Sequence, residues 1–242
     1  MHYFVSDIHL GAGDAAAQKR VEGQFIDFLK QIEADVETLF LVGDIFDFWF
    51  EYKRVVPQGF VRVLGRLAEL SDKGVRIVML TGNHDMWVGE YLTRECGIEL
   101  YTKPQTFEIA NKRLFVAHGD NMNIDGQPML QFMNAMFRSR ALRKIASWLV
   151  HPDLFMSFGK WWSGKSRKSH SGYQLSDKTL EPLVNYATEY GKKDAIDYFI
   201  FGHLHYPSDV KGDVRVLFMG DWHTQPSYLV LDNKGEIKLQ KA

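Results

Sequence analysis

Five times along this chain a short apolar run ends in a cluster of Asp, Asn or His, and in four of the five a glycine stands beside it. The clusters are Asp7-Ile8-His9, Gly43-Asp44-Ile45-Phe46-Asp47, Gly82-Asn83-His84-Asp85, His118-Gly119-Asp120 and Gly202-His203-Leu204-His205. Ligands of open α/β sheets bind beyond the carboxyl ends of the strands, so five clusters on five strand ends are expected to converge in space. Glycine lets the chain turn sharply there and brings backbone close to a ligand.

The segments between the clusters set the fold class. Tyr3–Val5, Thr38–Val42 and Val75–Leu80 read as strands, and two helical patterns separate them. Residues 18–33 place Val21, Phe25, Phe28, Leu29 and Ile32 at helical spacing; residues 58–72 do so with Phe60, Val61, Leu64, Leu67, Ala68 and Leu70. Strand–helix–strand alternation implies parallel pairing. Gln105–Ile109 and Arg113–Ala117, separated by Ala-Asn-Lys, read as a hairpin. Tyr198–Phe201, Val214–Met219, Tyr228–Leu231 and Glu236–Leu239 make the last third rich in strands, with antiparallel pairing. The expectation is an α/β protein with a mixed two-sheet core and helices outside, one domain over residues 1–242.

Residues 125–172 break this rhythm. They hold eight Lys and Arg (Arg138, Arg140, Arg143, Lys144, Lys160, Lys165, Arg167, Lys168) against Asp125 and Asp153, a local +6. The other residues keep 21 basic and 28 acidic groups, a net −7. The same stretch carries Phe132, Phe137, Trp148, Phe155, Phe158, Trp161 and Trp162 in an amphipathic helical pattern. Lying between two core strands, it is expected to be a helical cap inserted into the domain.

Composition closes off several classes. With 45% hydrophobic and 14% aromatic residues, disorder is excluded as the main state. Lys+Arg 29 against Asp+Glu 30 argues against a nucleic-acid partner, and the −7 outside residues 125–172 gives a long polyanion little help. A single cysteine, Cys96, allows no intrachain disulfide and no cysteine zinc site, and points to a reducing compartment. No apolar stretch is long enough for a membrane span, and the N-terminus lacks the pattern of a signal peptide. A cytoplasmic protein is expected.

The clusters carry metal chemistry. In an extended segment residues i and i+2 point to the same face, so Asp7 with His9, and His203 with His205, would each aim two ligands at one point. Asp44, Asn83 and His118 add single ligands. That makes seven nitrogen or oxygen donors and no thiolate, more than one ion needs. Two ions sharing a bridging carboxylate would use them all. The donor mix suits Mn²⁺ first, with Fe or Zn²⁺ as alternatives. Two-ion sites, with ions about 3.5–4 Å apart, activate water and clamp phosphoryl oxygens.

In this order the motifs D-x-H, G-D-x-x-D, G-N-H-D, H-G-D and G-H-x-H resemble the calcineurin-like metallophosphoesterase superfamily. The resemblance runs from residue 7 to residue 205 and implies a four-layer αββα sandwich. It implies that Asp7, His9, Asp44 and His205 hold one metal and that Asp44, Asn83, His118 and His203 hold the other, Asp44 bridging. His84 would face the substrate and protonate the leaving oxygen or stabilise phosphoryl charge, with Asp47 orienting it. Asp85 and Asp120 read as turn residues or as supports for the ligands, and His223 as structural.

A narrower likeness rests on Ser6-Asp7-Ile8-His9-Leu10, on Gly43-Asp44-Ile45-Phe46-Asp47-Phe48-Trp49, and on Gly220-Asp221-Trp222-His223-Thr224 with Ser227. These resemble the UDP-2,3-diacylglucosamine hydrolase branch, which cleaves the pyrophosphate of a UDP-linked diacyl sugar in lipid A synthesis to a lipid monophosphate and UMP. That likeness implies a nucleotide-linked glycolipid as substrate and an acyl-binding role for the cap. Asn83, His84, His203, Arg138, Lys165 and Arg167 would contact the substrate, and the cap could meet the inner face of the membrane. The sequence departs from the best-known members at His84, where they carry Arg. A phosphodiesterase or phosphatase for a soluble nucleotide is the alternative enzyme. A metal-binding scaffold without turnover is the alternative of another class.

Overall fold

Side-chain alternation along three neighbouring parallel strands sets the layering. β1 (His2–Val5), β2 (Thr38–Val42) and β3 (Arg76–Leu80) pair in register, Phe4 beside Phe40 and Phe40 beside Val78. Those three side chains point to one face of the sheet. Tyr3, Val5, Leu39, Leu41, Ile77 and Met79 point to the other. This is a computed structural model, and it describes residues 1–122, 139–170 and 177–242, with positions 128, 131, 135 and 136; of 140, 165–170 and 177 it describes the backbone alone.

The outer face lies under α1 (Ala15–Ile32), α2 (Val61–Asp72) and α3 (Tyr91–Cys96). The Asp14 carboxylate accepts from the Ala17 N–H at 2.8 Å and so starts α1. That helix buries Val21, Phe25, Phe28, Leu29 and Ile32, each worth about 1.5–3 kcal/mol of transfer free energy. The sheet continues on one side to β4 (Glu99–Tyr101) and on the other to β10 (Ser227–Leu231) and β11 (Ile237–Lys241).

The inner face meets a second sheet, in the order β5 (Gln105–Ile109), β6 (Lys112–Ala117), β7 (Tyr198–Phe201), β9 (Arg215–Phe218) and β8 (Ser208–Lys211). Phe4, Phe40 and Val78 from one sheet interlock with Phe107, Val116 and Leu217 from the other. The Phe4 and Phe40 rings stack with centroids 4.5 Å apart. The far face of the second sheet presents Phe115, Phe199, Phe201 and Phe218 to α6 (Asp177–Gly191), which covers them with Leu180, Leu183 and Ala187. Helices, sheet, sheet and helix make the four αββα layers. Between β6 and β7 the chain forms α4 (Arg140–Leu149) and α5 (Pro152–His170). Among the described residues no helix is long and apolar enough to cross a membrane.

Local differences from the sequence reading have local causes. The second helix starts at Val61, because Phe60 takes a left-handed φ of 61°, and Val61 faces solvent at 76% exposure. The β5–β6 turn has two residues, Ala110 and Asn111, both with positive φ (49° and 60°), so Lys112 joins the strand opposite Ile109. This is the twist that a tight hairpin favours. The reading has no counterpart for α3, β4, β8 or α6. Pro182 sits inside α6 and interrupts a pattern that Leu180, Leu183 and Ala187 otherwise carry.

Candidate metal centre

All five clusters sit on the carboxyl ends of parallel strands. Asp7 and His9 follow β1, Asp44 and Asp47 follow β2, and Asn83 and His84 follow β3. His118 follows β6, and His203 and His205 follow β7. Main-chain bonds carry the pairing past the strands: Asp7 N–H donates to Gly43 O at 3.1 Å, His9 N–H to Asp44 O at 3.0 Å, and Gly202 N–H to His118 O at 3.0 Å. The His203 N–H donates to both oxygens of the Asp7 carboxylate, at 3.2 and 3.0 Å, and ties the two sheet ends together.

The i, i+2 pairs converge, but not through extended backbone. Asp7 and His9 have φ of 52° and 48°, His203 and His205 of 67° and 55°, and Asp44 of 53°. Each non-glycine residue held there costs about 1–3 kcal/mol, a strain that persists where a site demands it. Glycine is required beside them for space. A Cβ at Gly82 would collide with the Asp44 carboxylate, and one at Gly43 with the His118 ring.

Among the described residues three groups of donors result: Asp7, His9 and His205; His9, Asp44 and His84; and Asp44, His118 and His203, each with ligand atoms within 4.8 Å of one another. Asp44 Oδ2 lies 3.3 Å from His118 Nε2 and 3.9 Å from His9 Nε2. Asp7 Oδ1 lies 3.2 Å from His205 Nε2. Asn83 Oδ1 stands 3.3 Å from His118 Nε2. His118 Nδ1 donates to the Val42 carbonyl at 3.0 Å, which leaves Nε2 as the atom turned into the centre.

This donor set fits divalent cations. Asp7 and Asp44 are fully buried, and among the described residues their partners are imidazoles and main-chain amides rather than Lys or Arg. His9 Nε2 faces His205 Nε2 at 3.2 Å, two nitrogens turned to one point beside a carboxylate. Burial opposes charge on His118 and His205, yet Asp44 and Asp7 raise both rings above the ordinary histidine range. Burial would raise Asp7, but His205 draws it down to about 2. Burial and His118 depress His203 to about 4, and burial holds His9 well below its usual value.

His84 stands at the edge of this centre. Its Nε2 is 4.0 Å from Asp44 Oδ2. Its Nδ1 donates to the main-chain carbonyl of Asp47 at 2.9 Å. The expected orienting residue is thus present, but its carboxylate is 3.8 Å from His84 Nδ1, and the direct contact is through its backbone. Ser163 of α5 stands between them, its hydroxyl donating to the Asp47 carboxylate and lying 3.1 Å from His84 Nδ1. Asp85 accepts from Ile45 N–H at 2.8 Å and Gly82 N–H at 2.7 Å, so it braces two loops. Burial, with Asp44 nearby, raises its carboxyl to about 6. The His223 ring reaches the His9 carbonyl at 3.4 Å.

The model of the calcineurin-like phosphoesterase family matches residues 3–207. The chain belongs to that family. This phosphoesterase is 36% identical over 245 residues to the UDP-2,3-diacylglucosamine hydrolase of Porphyromonas gingivalis, with 95% of this chain and 93% of the relative covered. It is 28% identical over 240 residues to the enzyme of the same name from Haemophilus influenzae, with 97% and 96% covered. Zinc-bound Vps29 from Entamoeba histolytica aligns over 100% of this chain and 97% of its own, at TM-score 0.45 and 12% identity. Membership makes the chain a metal-dependent hydrolase of phosphoric esters, and divalent metal ions go with it.

The phosphoesterase motifs thus bring together Asp7, His9, Asp44, Asp47, Asn83, His84, His118, His203 and His205. Arg138 lies outside the described residues; Lys165 and Arg167 fall on the backbone of α5, and their side chains lie outside the described residues too. Ser163 is the residue that sequence reasoning misses. A lone serine among Phe158, Trp161 and Trp162 carries no motif; its only signal is its place on the face of Phe155 and Gly159.

Proposed function

We propose that this phosphoesterase hydrolyses the pyrophosphate of UDP-2,3-diacylglucosamine to the lipid monophosphate and UMP, in lipid A synthesis. The observation that carries the reading is relatedness along nearly the whole of both chains to a hydrolase of that name, at 36% identity. Asp7, His9, Asp44 and His205 would hold one divalent ion and Asp44, Asn83, His118 and His203 the other, manganese being the ion the donors suit first. When bound, such a pair supplies Lewis-acid activation of water and neutralises phosphoryl charge. His84 is the residue for the leaving group. Its Nδ1 proton is committed to the Asp47 carbonyl, so a proton at Nε2 is the one it can give to the departing oxygen. Asn83, His84 and His203 would meet the phosphates.

The substrate's other end is apolar, and α4 and α5, within the cap expected over residues 125–172, offer matching surface. Leu142, Ile145, Trp148 and Leu149 on α4, and Leu154, Phe158, Trp161 and Trp162 on α5, are all exposed, Trp148 at 85%. Arg143, Lys144 and Lys160 lie among them. Such a mixture suits acyl chains and an anionic membrane surface, and supports a cytoplasmic enzyme that meets the inner face of the membrane. Arg138, Lys165 and Arg167 would add contacts to the phosphates.

UMP release from the lipid substrate in anionic vesicles tests this. Rapid release is expected, and Trp148→Asp is expected to slow it several-fold while leaving a water-soluble diester untouched. No UMP release alongside fast cleavage of the soluble diester sinks the lipid reading. It would favour a soluble nucleotide as substrate, which His84 in place of Arg also suggests.

The metal reading makes its own prediction. Carboxylates hold His118 and His205 protonated above the usual range, and a metal must displace those protons. His203 and His9 are already neutral near pH 7 and do not compete. Apparent affinity for Mn²⁺ is therefore expected to rise with pH through neutrality, with roughly two protons released per pair of ions. Calorimetry in buffers of different ionisation heat counts them; a pH-independent affinity counts against these ligands.

A further inference from the structure

Helix α5 is seated over the centre through one stripe. Phe155, Gly159 and Ser163 recur every four residues and share a face. Phe155 packs on Phe48, Phe50 and Trp87, with ring centroids 5.9, 4.4 and 5.5 Å apart. Gly159 lies so close to the Phe48 ring that a Cβ there would collide with it. Ser163, next along the stripe, is wholly buried, and its hydroxyl meets Asp47 and His84.

A hydroxyl is the group that this position calls for. The 3.8 Å from His84 Nδ1 to Asp47 Oδ1 is too long for a hydrogen bond. The hydroxyl has one hydrogen, which goes to the Asp47 carboxylate, and its oxygen can accept from the His84 Nδ1–H, 3.1 Å from that nitrogen. The Asp47 carbonyl takes the same N–H from another side. Two acceptors on Nδ1–H fix both the tautomer and the rotation of the ring, so that Nε2 is aimed at Asp44 and the centre.

We propose that Ser163 is a positioning residue through which the seating of α5 sets the orientation of His84. The proposal rests on the reading of His84 as the group that faces the substrate. While α5 is seated, the ring is held; when α5 lifts, Ser163 goes with it and His84 loses one of its two Nδ1 partners. A helix that also offers apolar surface to the substrate thereby reports on the reacting end of the site.

The test uses the full, Mn²⁺-loaded chain and bis(p-nitrophenyl) phosphate, a diester that needs no acyl pocket. Ser163→Ala is expected to lower kcat about ten- to a hundredfold, with KM and metal content nearly unchanged. Ser163→Thr, which keeps the hydroxyl, retains most of the activity. In a His84→Ala background, Ser163→Ala costs nothing more. The ¹⁵N signal of His84 Nδ1, read on diamagnetic Zn²⁺-loaded protein, shifts in Ser163→Ala. A wild-type kcat in Ser163→Ala, an equal fall in the His84→Ala background, or an unmoved His84 signal overturns the proposal. A Ser163→Ala variant that unseats α5 altogether loses activity with or without His84, and so also counts against it. The reading of His84 is judged separately: full activity in His84→Ala ends that reading, while the nitrogen signal still decides the role of Ser163.

Discussion

Asp44→Asn is expected to lower hydrolysis of any phosphodiester by about a thousandfold or more and to release at least one metal ion per chain. The reason is position. Asp44 belongs to two of the three donor groups, and its Oδ2 lies within 4.0 Å of His118, His9 and His84. The other carboxylate of the centre, Asp7, belongs to one group. Removing the shared charge therefore weakens both halves at once. Losing about 4 kcal/mol of transition-state stabilisation corresponds to about a thousandfold in rate. The substitution keeps the shape. Asn retains a carbonyl oxygen for the His84 N–H, which Asp44 Oδ1 accepts at 2.8 Å. An unchanged circular dichroism spectrum with lost metal and lost turnover is the expected pair of results. Wild-type turnover in Asp44→Asn would remove the centre proposed here.

How much of this was readable in the chain depends on the range of each signal. β1, β2 and β3 are short apolar runs, and α1 shows its buried stripe at regular spacing, so periodicity finds them. α3 and β4 have six and three residues, too short for any period to build up. The centre was legible for a different reason. Metal ligation needs particular side chains, and their identity survives in sequence whatever the backbone does. That is why Asp7 with His9, and His203 with His205, could be paired although the extended geometry assumed for them is wrong; their φ values are left-handed. Ser163 is the reverse case. A serine is common and chemically quiet, and only the fold brings it 3.1 Å from His84, 79 positions away. The role of Asp47 is half legible: the G-D-x-x-D motif points to the residue, but the carbonyl contact follows from backbone that no motif encodes.

Chelation is expected to abolish activity while leaving the molecule folded, and Mn²⁺ is expected to restore it. The three apolar clusters pack without any ligand of the centre. The β-sheets, α1 and α6 should therefore survive metal removal, with secondary structure unchanged. The centre itself becomes less favourable, because Asp7 and Asp44 are left buried with imidazolium and main-chain amides in place of the cations. At a metal concentration 100 times its Kd, binding stabilises the fold by about 2.7 kcal/mol per ion. For a chain of this size that is about 5–10 °C in Tm for each ion. Adding back Mn²⁺, Zn²⁺ and Fe²⁺ separately, and reading both Tm and turnover, divides binding from catalysis. An ion that restores Tm but not turnover fills the centre without serving the reaction. Turnover that persists at full chelation, with metal content below one ion in ten chains, is the result that the geometry of Asp44, His118 and His205 cannot accommodate.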